Sequence, residues 1–419
     1  MAGLAPGFGA GEDRFQSIDA VRGFAVLGIL LMNIVGMGLP AFAYLDPTYA
    51  GGATGADLWT WAVNHVLTDG KMRGLFTMLF GASAVLIAGR AEGKHPGPAQ
   101  THYARMFWLF VIGMIHAYFL WWGDILVCYA VAGLFIFPFR KLPAWALIAL
   151  GSAILIGVVI HNFQALEGLK ALHAAAMAPG ASAKTLADWN RVAFVLQPSQ
   201  AMAAVQIKGF GGDFFQSLAA RSQMAMIMQL GVEPTDGFPE AIGQMLIGMG
   251  LFITGFFTLK WSTRAYWAVI VVGYLIAAPA TAWLTYLIWK GGFDTFTRTA
   301  LEDWGALARP FVALAHGALV LLIVRSGALK GLVDRFAAAG RMAFSNYLMS
   351  SIITMILFTG VGFGLYGKLS RSGQLWVVLG IWAFILLWSK PWLARFHYGP
   401  FEWLWRSLVR MKPQPFLRT

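Results

Sequence analysis

Charge is scarce in this chain. Asp, Glu, Lys and Arg make up 12% of its 419 residues, against roughly 25% in a soluble domain, which excludes an ordinary water-soluble globule. Cysteine is scarcer still. Cys128 stands alone, which excludes an intramolecular disulfide and a thiolate metal cluster. The eight histidines form no HExxH pair or comparable close ligand spacing, so no metal is expected. No Walker or glycine-rich nucleotide loop is present. Residues 1–13 are glycine-rich and acidic, without a basic region or a small-residue cleavage site, so loss of a signal peptide is not expected. The net charge of +12 would suit nucleic acid. In so apolar a chain, basic residues beside membrane ends account for it, and no nucleic-acid partner is expected.

What the sequence has is apolar length. It is 58% hydrophobic, with a mean hydropathy of +0.65. Nine or ten apolar stretches run for about 14–25 residues, most of them the length that crosses a bilayer core. They cover 18–40, 72–88, 106–122, 125–139, 143–160, 238–259, 265–289, 310–324, 343–366 and 375–388. This pattern predicts an all-α, polytopic transmembrane helical bundle of about ten helices. The chain reads as one integral membrane domain over 1–419, its helices in 18–160 and 238–388. The stretch 161–237 is more polar and predicts a mostly helical extracytoplasmic insertion, with short helices near 171–177 and 214–228. No motif aligns between the two halves.

After Gly399, proline suits a helix start and Glu402 and Arg406 form an i,i+4 pair. The Trp and Arg content suits the headgroup region, so 399–419 predicts an interfacial tail. With the N-terminus inside, 18 Lys and Arg fall on inner segments, beginning with Arg14, and 10 on outer ones. Five of those ten lie in the long insertion, where the positive-inside rule is weakest. Both termini are therefore expected in the cytoplasm.

Four groups of polar residues stand where lipid would not tolerate them. Asp19, Arg22 and Asn33 share one stripe of the first helix at about 100° per residue, either as a structural pair with interhelical glue or as part of a binding site. Lys71 and Arg73 open the second long helix. They either snorkel to headgroups or clamp an anionic substrate or developing oxyanion. His116 lies five to six residues, roughly 8 Å at 1.5 Å per residue, inside Trp121 and Trp122, which read as an interfacial aromatic belt. Gly123 breaks the helix and Asp124 begins the next, where Asp is also a good N-cap. A buried histidine with a carboxylate on the adjoining helix is what a general base and its orienting group require. Ser345, Asn346, Ser350 and Ser351 enter a later helix, as interhelical hydrogen-bonding groups or, for Asn346, as a substrate contact.

These segments together resemble one family, the YeiB-like bacterial inner-membrane proteins, a domain of unknown function. The resemblance is carried by Ser17-Ile18-Asp19-Ala20-Val21-Arg22-Gly23 with Asn33, residues 71–81, His116-Ala117 with Gly123-Asp124-Ile125-Leu126, residues 340–351, and 399–406. The opening Ser-x-Asp-x-x-Arg-Gly pattern is also distantly similar to that of the transmembrane acyltransferases. In those proteins an intramembrane histidine serves acyl transfer from a cytoplasmic acyl-CoA to an acceptor across the membrane. Their histidine follows the first helix closely. Here that region offers only His65, and the family-like histidine is His116.

The resemblance implies an acyl-CoA-dependent O-acyltransferase with acyl-CoA as donor substrate and a glycan, lipid or small-molecule acceptor. His116 would be its base and Asp124 the orienting group. Lys71, Arg73, Asp19, Arg22, Asn33 and Asn346 would contact substrates. Membrane lipids are the surrounding partner, and the chain is compatible with a homo-oligomer. A transporter or channel for a small or anionic solute, or a non-catalytic scaffold, would use the same buried polar residues.

Overall fold

The computed structural model describes residues 16–418. The acidic N-terminal stretch and Arg14 lie outside the described residues. The described chain is helical almost throughout. α1 (Gln16–Gly38) is followed by a short α2 (Gly55–Leu67) and by α3 (Lys71–Ala91). α4 (Pro98–Phe119) and α5 (Leu126–Ile136) form a hairpin, and α6 (Ala144–Met177) leads into α7 (Ala183–Leu196), α8 (Gln200–Gly211) and α9 (Phe214–Ile227). A π-helical stretch, Met228–Gly237, joins α9 to α10 (Phe238–Ile253), and another, Val272–Ala277, joins α11 (Thr263–Val271) to α12 (Ala278–Lys290). The remaining helices are α13 (Thr295–Ala306), α14 (Arg309–Ser326), α15 (Lys330–Arg341), α16 (Ala343–Phe358), α17 (Arg371–Arg395) and α18 (Pro400–Val409).

Each of the ten apolar stretches is mainly helical, although 238–259 leaves helix after Ile253 and 343–366 after Phe358, and the ten alternate in direction. Arg22 early in α1 meets Ser83 in the second half of α3, His102 at the start of α4 meets Gly133 near the end of α5, and Asn346 at the start of α16 meets Ser389 near the end of α17. The bundle thus has an N-side end, where α1 begins, and a far end. Six helical stretches are long and apolar enough to cross a membrane alone: α1, α2 with α3, α6, α11 with α12, α14 and α17. α15 and α16, bent by 81° where they join, make a seventh if read as one broken span. The protein is a multi-pass helical membrane bundle, in which the count of ten includes shorter pieces. α5 has 11 residues, and α10 and α16 have 16 each, below the roughly 20 of a full span. α10 is buried along most of its length, so its apolar run reflects a protein environment as much as a lipid one.

The polar insertion has no clean borders. α6 runs unbroken for 34 residues, about 51 Å, so its second half projects past the bundle and absorbs 171–177. At the other border α9, the π-helical stretch and α10 follow without a loop. Inside the insertion the helices start on ordinary caps: Ser182 for α7, and Asp213 for α9 in a reciprocal capping box with Gln216.

α1 is the bundle's axis, buried on nearly every face. Two crossings show why small residues stand where they do. A Cβ on Gly23 would sit 1.9 Å from the Phe336 carbonyl oxygen, and one on Gly340 would sit 1.8 Å from that of Asp19. α1 and α15 therefore touch backbone to backbone. Gly81 and Gly248 play the same part between α3 and α10. Lipid gives helices little hydrophobic reason to associate, so such close van der Waals approach carries much of the packing.

α18 is tied to the N-side end by its acid. The Glu402 carboxylate accepts the backbone N–H of Phe344 at 2.8 Å and of Ser345 at 3.0 Å and bonds the Ser345 hydroxyl. It caps α16, satisfying donors that a helix start leaves open. The i,i+4 reading did not foresee this partner, and Arg406 lies over the Tyr398 ring at 4.5 Å. Burial raises the Glu402 carboxyl above its ordinary value, and the Ser345 and Phe344 donors pull it back.

Candidate functional site

α4 and α5 meet closely because Gly113 leaves room. A Cβ there would lie 2.7 Å from the Val127 nitrogen. The chain then turns through 120–125, and Asp124 caps the first turn of α5 by accepting the Val127 N–H at 2.8 Å. Its other oxygen meets Nδ1 of His116 at 2.7 Å, and Nε2 of His116 meets the Ser351 hydroxyl on α16 at 2.8 Å. With the carboxylate as acceptor of the Nδ1–H, Nε2 is left to accept from the Ser351 hydroxyl. The result is a Ser–His–Asp chain assembled from three helices.

The chain is sealed. His116 is 1% exposed, Asp124 8% and Ser351 0%. The Tyr347 ring lies 5.1 Å from the imidazole, and its hydroxyl accepts the Ile125 N–H at 3.3 Å, holding the corner that presents Asp124. Trp121 stands edge-on to the imidazole at 6.4 Å. Beyond it, at the far end, is a pocket of about 10 Å³ walled by Trp121, Trp122, Met37, Arg221 and Thr354, room for about one water. Trp121 and Trp122 are therefore not a lipid-facing belt. They are 8% and 9% exposed, because α8 and α9 of the insertion cover this corner through Phe210 and Arg221. Arg221 fastens that cover, donating to the Phe119 carbonyl at 3.0 Å and to Ser217 at 3.1 Å. Nε1 of Trp121 is buried and has no hydrogen-bond partner among the described residues.

The other expected site residues are not gathered around His116. Asp19 and Arg22 pair at 3.0 Å near the N-side end. A cavity of about 440 Å³ opens there, lined by Gln16, Asp19, Asp334, Arg341 and Lys390, within the usual range for ligand pockets. Asn33 is half-buried farther along α1. Asn346 is fully buried and bonded on every side: its amide donates to the Ala339 carbonyl and Ser389, and its oxygen accepts from Trp388. At the far end Lys71, 2% exposed, donates to the His65 carbonyl at 2.6 Å rather than snorkelling, and Arg73 pairs with Glu240 at 2.8 Å.

His65 stacks on Trp61 and faces Asp69 at 3.6 Å, in a second polar cluster where the Tyr44 hydroxyl donates to Asp69 at 2.8 Å. Glu302 of α13 belongs to the same cluster. Burial lifts its carboxyl to about 7, against the pull of Arg298. Among the described residues no three His, Cys, Asp or Glu side chains are placed to hold a metal ion. Sequence reasoning missed Ser351 as a partner of His116. The residues are 235 positions apart, and the only local signal was a hydroxyl at a buried helical position.

The molecule is thus a multi-pass helical membrane protein with a hydrogen-bonded Ser–His–Asp chain buried inside its bundle. A family model described as a protein of unknown function (DUF418) matches residues 251–412. The uncharacterized protein YeiB of Escherichia coli K12 is 31% identical over 412 residues, covering 95% of this chain and 96% of that protein. The uncharacterized protein YxaH of Bacillus subtilis is 24% identical over 436 residues, covering 97% of each. The chain belongs to the YeiB family.

Proposed function

We propose that this protein is a membrane-embedded acyltransferase that moves an acyl group from a cytoplasmic acyl-CoA to a hydroxyl on an extracytoplasmic or lipid-linked acceptor. The observation that carries the reading is the hydrogen-bonded chain from Asp124 through His116 to Ser351. A neutral imidazole held in one tautomer by a buried carboxylate is poised to take a proton at Nε2. The same carboxylate then stabilises the imidazolium.

In this reading the N-side end faces the cytoplasm, as the distribution of Lys and Arg favours. The cavity between Asp19, Arg341 and Lys390 would receive part of the donor, with nearby basic residues drawing in its phosphates. Lys71 and Arg73 would act on substrate only by exchanging the His65 carbonyl and Glu240 for it.

The test uses purified protein in nanodiscs with radiolabelled acetyl-CoA and a membrane-extract acceptor pool. His116→Ala should reduce transfer by roughly 10²–10⁴-fold, the contribution of a general base, with folding and donor binding intact. Arg22→Ala should weaken donor binding. Liposome flux is measured in parallel. Solute flux that persists without acyl-CoA and disappears in the same variants would overturn the enzyme reading in favour of a transporter.

A further inference from the structure

Two features of the molecule are hard to reconcile with direct transfer between two bound substrates. The N-side cavity and the far pocket lie at opposite ends of α1, at Asp19 and at Met37. Those positions are 18 residues apart, about 27 Å along the helix. The far pocket, at about 10 Å³, holds no acceptor while Trp121 is in place. Between them stands a hydroxyl whose proton is already directed at the base. Ser351 is 2.8 Å from His116 Nε2, whereas the competing Tyr347 carbonyl is 3.4 Å away.

We infer that Ser351 is the nucleophile and carries the acyl group as a serine ester, so that donor and acceptor are used one after the other. This rests on the acyl-transfer reading. Ser351 Oγ attacks the thioester carbonyl while its proton passes to His116 Nε2. The C–S bond breaks, and the coenzyme A thiolate leaves with that proton from the imidazolium. The acceptor hydroxyl then attacks the ester and gives its proton to Nε2. The C–Oγ bond breaks, and the proton returns to Ser351. Neither step needs an oxidant or a metal. Asp124 holds the imidazole throughout by its 2.7 Å bond to Nδ1. Trp121, edge-on to the imidazole and in the wall of the far pocket, is the side chain that must turn aside to admit the acceptor.

The experiment has two readouts on the full-length protein in nanodiscs. A fluorophosphonate probe, followed by peptide mass spectrometry, should leave one adduct on Ser351. The adduct should be absent from Ser351→Ala and His116→Ala but kept in Ser350→Ala, whose hydroxyl is bonded to the Asn346 carbonyl. A pulse of [¹⁴C]acetyl-CoA without acceptor should leave a hydroxylamine-labile label on Ser351. Ser351→Ala should lose that label and about 10³-fold or more of turnover. Ser351→Cys should keep a labile label as a thioester, which guards against loss of fold in the alanine variant. Turnover retained in Ser351→Ala, with no label in the unsubstituted protein, would overturn the covalent step and leave acyl transfer standing. No transfer from any acyl-CoA would overturn both.

Discussion

Exchanging Asp124 for asparagine changes one oxygen into an amino group and almost nothing in shape. The carboxylate serves two buried donors, the His116 Nδ1–H at 2.7 Å and the Val127 N–H at 2.8 Å. Asparagine has one acceptor oxygen, so it can serve only one of them. If the oxygen faces His116, the amino group confronts the Val127 N–H, and a buried donor goes unpaired at a cost of about 1–3 kcal/mol. If it faces Val127, the amino group donates to Nδ1 and forces the proton to Nε2, which can then no longer accept from Ser351. The second arrangement keeps every partner, so it should dominate. The imidazole then sits in the wrong tautomer. In a Ser–His–Asp system that error costs about 10⁴-fold in rate, or about 5.5 kcal/mol of barrier at 1.36 kcal/mol per decade. Fluorophosphonate labelling of Ser351, timed in nanodiscs, reads the rate without knowing the acceptor. A thermal melt of the same sample reads the fold. Labelling of Asp124→Asn within tenfold of the parent, with an unchanged melt, would refute the tautomer argument and with it the role given to the carboxylate.

Three further outcomes follow from other parts of the molecule. On a background lacking Cys128, impermeant reagent applied to intact cells should modify Gly292→Cys but not Ser326→Cys; the reverse pattern would invert the proposed orientation. Glu402→Ala should expose the first-turn amides of α16, costing about 1–3 kcal/mol for the buried donors left open, and hydrogen exchange at Phe344 and Ser345 should accelerate while that at the buried centre of α1 does not. Glu302, raised from an ordinary carboxyl value of 4.5 to about 7, is favoured by the fold in its neutral form. Stability should therefore fall as pH climbs through that window, by about 3 kcal/mol; Glu302→Gln should flatten the slope between pH 4.5 and 7 in melts, and an unchanged slope would refute the assignment.

The fold was legible where it depends on local composition. Every long apolar run is helical over most of its length, since the chain must satisfy its own backbone wherever water is absent. The His116–Asp124 pair was legible for a related reason: eight residues around a glycine corner leave few places for the two side chains to go. Long-range pairing was not. Nothing near Ser351 announces a histidine 235 positions earlier, and nothing near Glu402 announces that it caps a helix beginning at Ala343 rather than pairing within its own. Trp121 and Trp122 misled for the opposite reason. Tryptophan favours both the headgroup region and a protein interior, and only the position of α8 and α9 decides between them. The shortness of α5 and α10 was hidden because a buried helix and a lipid-facing one are equally apolar in sequence.

The tie between Glu402 and α16 bears on how such a protein is made. During synthesis α16 leaves the ribosome well before the residue that caps it, and until Glu402 arrives the first-turn amides of α16 have only water or lipid headgroups to bond. The helix that presents Ser351 to His116 is therefore held in its final setting only late in translation. A chain cut short before α18 would keep every one of its long apolar stretches yet lack the acceptor that closes the first turn of α16, so the setting of the helix that carries Ser351 depends on a residue outside the bundle's apolar helices.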